Sequence, residues 1–201
     1  MPRTRSETAR RSVLASTRAA LAADGYAALT IEGLAAEAGV SKQTIYRWWP
    51  SKAAILAEAL LDDAAPDFVQ GAFGAALPVD DSAGDLAEQL ATWLRTSAEH
   101  LATPEGLGVA RALIAVTATD PEVGAALNAR LAAPIRDWMG ERLAKATAHG
   151  SVRGNVDATL LADHLIAMTS YAALTGLPLD TTRVRATVDL VMRGIAAPRA
   201  N

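Results

Sequence analysis

The chain of 201 residues contains no cysteine. Disulfides and thiolate metal sites are therefore excluded. Aromatic residues are scarce, at 4%, although 51% of the chain is hydrophobic. The apolar bulk is mostly Ala, Leu and Val, which favours close-packed helices over a sandwich of aromatic and β-branched strands. Long apolar runs are missing as well. The longest apolar stretch near the C-terminus, residues 165–179, is uncharged for 15 residues and contains Gly176 and Pro178. A membrane span needs roughly 20 apolar residues, so this stretch reads as a buried helix. The opening residues, MPRTRSETARRS, are basic and carry no apolar signal segment, which makes the cytoplasm the expected compartment.

Catalytic and metal-binding patterns are absent too. The histidines, His100, His149 and His164, are far apart and have no metal-binding spacing. Asp163 and His164 are adjacent, so a helix points them about 100° apart and they form no relay by themselves. No glycine-rich phosphate loop occurs. Neither an enzyme nor a cofactor is expected.

What the chain does have is an uneven charge. Residues 1–52 hold eight Lys/Arg and four Asp/Glu, a net of +4, whereas residues 53–201 hold eleven and eighteen, a net of −7. A basic head on an acidic body suits a head that meets a polyanion, because neutralised phosphates release counterions.

Helix signals run the length of the chain. A first helix is expected over residues 6–23, with Leu14, Thr17 and Leu21 on one face and Asp24-Gly25 as its stop. Thr30 can cap a second over 31–38 that ends at Gly39. Ser41 can cap a third over 42–49, closed by Pro50, and Ser51 a fourth that continues to about Val69. PVDDSAGD, residues 78–85, reads as a loop before a helix with Leu86, Leu90, Trp93 and Leu94 inward. Further helices start near Glu105 and after Asp120, the latter with Pro134 expected to kink or divide it. Two more are expected over 157–175 and 181–197. No segment alternates with the period of a strand. The fold class is all-α, with about nine helices.

The segment GVSKQTIYRWWPSK, residues 39–52, carries the most information. Two short helices meet at Gly39, whose missing Cβ suits a left-handed turn, and Ala35 is small enough for a close crossing. Leu34, Val40 and Ile45 supply buried contacts. This is the spacing of a helix-turn-helix over residues 30–49. On its third helix Ile45 and Trp49 share one face with Trp48 beside them. Gln43 and Arg47 occupy the opposite face, flanked by Thr44 and Tyr46. Arg is bidentate to guanine and Gln to adenine in the major groove. Thr44 and Tyr46 can donate to phosphate or touch a thymine methyl. Lys42, Lys52 and Thr30 are placed to grip the DNA backbone.

The stretch GYAALTIEGLAAEAGVSKQTIYRWWPSKAAIL closely resembles the N-terminal domain of TetR-type (tetracycline-repressor-like) transcriptional regulators. Gly25-Tyr26, Thr30, Ala35-x-x-x-Gly39-Val40-Ser41, Tyr46 and Pro50-Ser51-Lys52 match that pattern. The resemblance covers about residues 7–67. It implies a DNA-binding domain over 1–52 and an effector-binding, dimerising domain over 53–201. It also implies a homodimer that binds a near-palindromic operator, usually as a repressor. Contacts to DNA fall at the matching positions Thr30, Ser41, Lys42, Gln43, Thr44, Tyr46, Arg47, Trp48 and Lys52. Trp48 stands where the family often has a histidine or another polar residue, so DNA contact and core packing both stay open for it. Arg3 and Arg5 could form a minor-groove arm.

In the body, Leu161, His164, Leu165 and Met168 form one stripe with Leu160, Tyr171 and Ala172, and Ile166, Ala173 and Leu174 form a second. A helix apolar on both sides must be covered on both sides. With Val184, Val188, Val191, Met192 and Ile195 of the last helix it is expected to build a dimer, which the resemblance implies is a four-helix bundle. Trp93, Trp138, Met139, Met168 and Tyr171, with His100 as a polar handle, are candidates for lining an effector pocket. The effector would be a small, apolar molecule that releases DNA by preferring mis-spaced heads, with the helix from Ser51 as lever. Two other readings stay open: a helical small-molecule-binding protein or enzyme whose head reads nothing, and a constitutive DNA-binding repressor without an effector.

Overall fold

The structure, a computed structural model, describes residues 2–61 and 85–197, with side chains from residue 6 onward. The side chains of Arg3 and Arg5 and the expected elements within 62–84 therefore lie outside what the structure describes. Nine helices are present among the described residues: α1 (Pro2–Ala28), α2 (Ile31–Glu37), α3 (Lys42–Trp48), α4 (Lys52–Leu60), α5 (Leu86–Leu101), α6 (Pro104–Thr119), α7 (Pro121–Ala148), α8 (Ala158–Thr175) and α9 (Thr181–Ile195). The all-α expectation holds.

Local chemistry sets the helix ends. Thr30, Ser41, Ser51, Asp85, Thr103, Asp120, Asp157 and Asp180 each accept a hydrogen bond from a backbone N–H three residues on. Such caps satisfy a donor that the first helical turn leaves open. The first helix does break at Gly25 (φ 77°, ψ 172°), but helical backbone resumes for one turn to Ala28. Pro134 does not divide α7, because its missing N–H removes only one backbone bond from a helix of 28 residues. One antiparallel bridge pairs Val152 with Ala196 and closes the loop after α7 onto the end of α9.

Contacts divide the chain into two compact units. Of the described residues, the first takes 2–61 and 103–127 and the second takes 85–102 and 128–197. The domain boundary expected after residue 52 differs from this division, since α4 and α6 both fall in the first unit. The reason is burial along α1. Ile55, Leu56, Ala59 and Leu60 of α4 are buried. At Gly108 a Cβ on α6 would stand 2.9 Å from the Leu21 carbonyl oxygen of α1. Val13, Leu14, Leu34, Ile45, Trp49 and Ile55 belong to the head core of this unit. Thr17 is buried on the same face of α1 and donates to the Val13 carbonyl (2.8 Å). In the second unit Leu90, Trp93, Leu94, Ile135, Met139, Leu165 and Val188 form one core drawn from α5, α7, α8 and α9.

Candidate nucleic-acid interface

The turn between α2 and α3 is set by Gly39 (φ 66°). Val40 N donates to Ala35 O (2.9 Å) and Gly39 N to Ala36 O (3.3 Å). These are the paired bonds of a Schellman ending, which needs a left-handed residue where Gly39 stands. Leu34 and Ile45 are buried across the turn, so the two helices share one core. The side of α3 left in solvent carries Lys42, Gln43, Tyr46 and Arg47, with Thr44 half-buried. Tyr46 is 56% exposed.

The cations of this surface are already ordered. Lys42 pairs with Glu32 of α2. Its hydrogen bond holds the Glu32 carboxyl below the usual carboxylate range. That contribution is complete above the ordinary carboxylate pKa and fades as pH falls through the lowered one. Glu32→Gln removes an exposed acid beside α3 and frees the Lys42 ammonium. The expected result is tighter binding to any duplex and a salt slope steeper by about one. A titration of DNA affinity against salt measures it, and an unchanged slope would show that Lys42 takes no part in phosphate binding.

Ser41 and Thr44 are engaged with each other, their hydroxyl oxygens 2.9 Å apart. Lys52 is engaged within its own chain. Its Nζ donates to the carbonyls of Tyr26 and Leu29 (both 3.0 Å) and lies 4.2 Å from the centre of the Tyr26 ring. Burial lowers its pKa from the ordinary lysine value. Two of its three N–H donors therefore fasten α4 to the end of α1 and the loop beyond it, and one remains for another acceptor.

The tryptophans separate into two roles. Trp49, 3% exposed, caps α3 and donates through Nε1 to Glu58 Oε2 (2.7 Å). The same oxygen accepts from Arg10 Nη2 (2.6 Å), and the Arg10 guanidinium lies 5.4 Å from the centre of the Trp49 ring. Trp48 packs half-buried against the head core, edge to face with Trp49 at 5.5 Å between centroids. Sequence reasoning missed Arg10 and Glu58, which lie 48 residues apart and have no shared periodicity.

Comparison with known proteins decides the family. Residues 13–59 match the family model described as "Bacterial regulatory proteins, tetR family", and residues 80–191 match "Tetracyclin repressor-like, C-terminal domain". The chain belongs to the TetR family. It is thus a DNA-binding transcriptional regulator with a helix-turn-helix head and a helical body. Its relatives include the DNA-binding transcriptional repressor TetR of Mycobacteroides abscessus, 30% identical over 98% of both chains. Another is the HTH-type regulator YdeS of Bacillus subtilis, 29% identical over 98% of this chain and 95% of that protein. Among solved structures, the TetR family regulator SCO0332 is 32% identical, covers 94% of this chain and 98% of its own, and superposes with a TM-score of 0.61.

In the body of this TetR-family chain, the residues named for a dimer face and for a pocket differ in burial. Leu165, Val184, Val188 and Ile195, expected at a dimer face, are buried in their own chain's core. Leu161, Met168, Val191 and Met192 are half-buried against it. The reason is that α9 turns its valine face onto α5 rather than outward. Of that expected set His164 alone is open to solvent, with its Nδ1 2.8 Å from the Leu160 carbonyl oxygen. The expected effector residues are likewise dispersed. Trp93, Trp138 and Met139 fill the core, Met168 packs beside it, His100 is half-buried and Tyr171 is 53% exposed. A cavity of about 870 Å³ lies between α5 and α9, floored by Ala87, Ala91, Ala98, Val184, Val188 and Met192. Among the described residues no helix is long and apolar enough to cross a membrane, and no cluster of three or more His, Asp or Glu is placed to hold a metal.

Proposed function

We propose that the protein is a cytoplasmic, homodimeric repressor that reads a near-palindromic operator through α3 and leaves it when a small molecule binds the body. The observation that carries this reading is the exposed face of α3, where Gln43, Tyr46 and Arg47 stand together on a helix anchored from behind. Arg47 and Gln43 offer bidentate donors to base edges, Tyr46 and Thr44 reach backbone or methyl groups, and Thr30, Ser41, Lys42 and Lys52 face phosphates. Two heads related by a twofold axis address half-sites about one helical turn apart, or a multiple of it.

The dimer reading is supported by a second face of α8. Leu160, His164, Ala167, Tyr171 and Leu174 are all exposed and recur at alternating spacings of four and three, which traces one side of a helix. Contiguous apolar surface of this kind marks an interface. The effector reading rests on the α5–α9 cavity, whose size and apolar floor fit a small molecule. Glu88, Glu99, Arg95 and Arg185 at its edge give such a molecule polar contacts.

Selection of bound duplexes from a random pool at about 150 mM salt, where non-specific binding is weak, tests operator reading. An inverted repeat is expected. Arg47→Ala should then cost roughly 1–3 kcal/mol on that operator and relax preference at one base pair in each half-site. Survivors without a common motif, or an Arg47→Ala variant with wild-type preference, would refute it.

A further inference from the structure

We infer that Trp48 is a positioning residue for base recognition, holding the guanidinium of Arg47 against its ring so that the arginine's edge is presented to guanine. The inference rests on the proposed operator reading and assigns a device within it. Arg47 lies in solvent on the outer side of α3, where a free arginine samples many rotamers. Here its guanidinium carbon stands 5.8 Å from the centre of the Trp48 ring, within the range of a cation–π contact. A guanidinium that offers its face to an aromatic ring keeps its in-plane N–H groups for the paired acceptors of a guanine.

A platform is useful only if it is itself fixed, and the structure shows how it is fixed. Trp48 meets Trp49 edge to face at an interplanar angle of 83°. Trp49 is held by Glu58 of α4 and covered by Arg10 of α1. Trp49, covered from solvent by Arg10, thus begins in the head core a line of contacts that runs through Trp48 to Arg47 at the reading surface. Each contact restricts the next. The last residue therefore pays less conformational entropy when it docks on a base.

The test uses the full-length protein and the operator that the wild-type chain selects from random duplexes. Base preference is measured at every operator position for Trp48→Phe, Trp48→Leu and Arg47→Ala, with a melting curve for each variant. The expected result is a loss confined to the base pair whose preference Arg47→Ala abolishes, following the order Trp, Phe, Leu. It should reach roughly two- to fivefold with Leu, the factor set by an exposed cation–π contact. Should Trp48→Leu fail to fold, the step from Trp to Phe decides alone, because the interaction is strongest on indole. Equal weakening at all positions would assign Trp48 a merely structural role and overturn the inference, as would an unchanged profile. Failure of operator reading itself is seen separately, as a wild-type pool with no motif, and it removes the inference as well.

Discussion

Trp49→Ala is expected to destabilise the DNA-reading unit by roughly 3–5 kcal/mol, the range for deleting a buried large aromatic. The ring is enclosed by the head core and its N–H is one of two donors on Glu58 Oε2. Alanine leaves a cavity between α3 and the helices behind it, and the short helix has little else to hold its last turn. Trp49→Phe separates the two contributions. It keeps most of the ring, gives up the N–H, and should cost about 1 kcal/mol from the lost hydrogen bond in addition to a small packing defect. Urea unfolding of the full chain, followed by circular dichroism, measures both. A Trp49→Ala variant within 1 kcal/mol of wild type would mean that the head core does not depend on this side chain.

The second large effect is expected on the exposed face of α8. Tyr171 and Leu174 are 53% and 61% exposed, so glutamate at both positions is tolerated in a single chain. Covered by a second copy, the same carboxylates lose water without gaining a partner, which costs several kcal/mol. Tyr171→Glu with Leu174→Glu should therefore convert a dimer at micromolar concentration into a monomer, read by sedimentation equilibrium. Affinity for the full operator should fall about 10²- to 10⁴-fold, because the second head loses its high effective concentration. Affinity for an isolated half-site should stay as it is. A variant that sediments as a dimer would move the interface to another surface.

Much of this architecture could be read from the residues alone, and the reason is local. Thr30, Ser41, Ser51 and Asp120 announce helix starts through side-chain geometry that involves only the next three residues. Gly39 announces its turn because few other residues accept a positive φ. Buried faces with a single apolar stripe, such as Leu14, Thr17 and Leu21 on α1, are equally plain. The readings that shifted depend on distant partners. Residues of α8 are apolar on both sides, and only the packing of α9 onto α5 decides which side closes within the chain. Lys52 looks like any free cation until the carbonyls of Tyr26 and Leu29 arrive from the end of α1 and the loop beyond it. The roles of Trp48 and Trp49 hang on Arg10 and Glu58, neither of which any spacing rule connects to them.

The recognition helix is seven residues long, as is the helix before it. Isolated helices shorter than about 12–15 residues are marginal in water, so α3 owes its shape to the core behind it rather than to its own sequence. A synthetic peptide of residues 39–52 would be a disordered cationic strand with no preference among duplexes. Specificity in this chain is therefore not portable as a segment. On the proposed reading of α3, a new operator would be reached by exchanging Gln43, Tyr46 and Arg47 where they stand, on a scaffold kept whole.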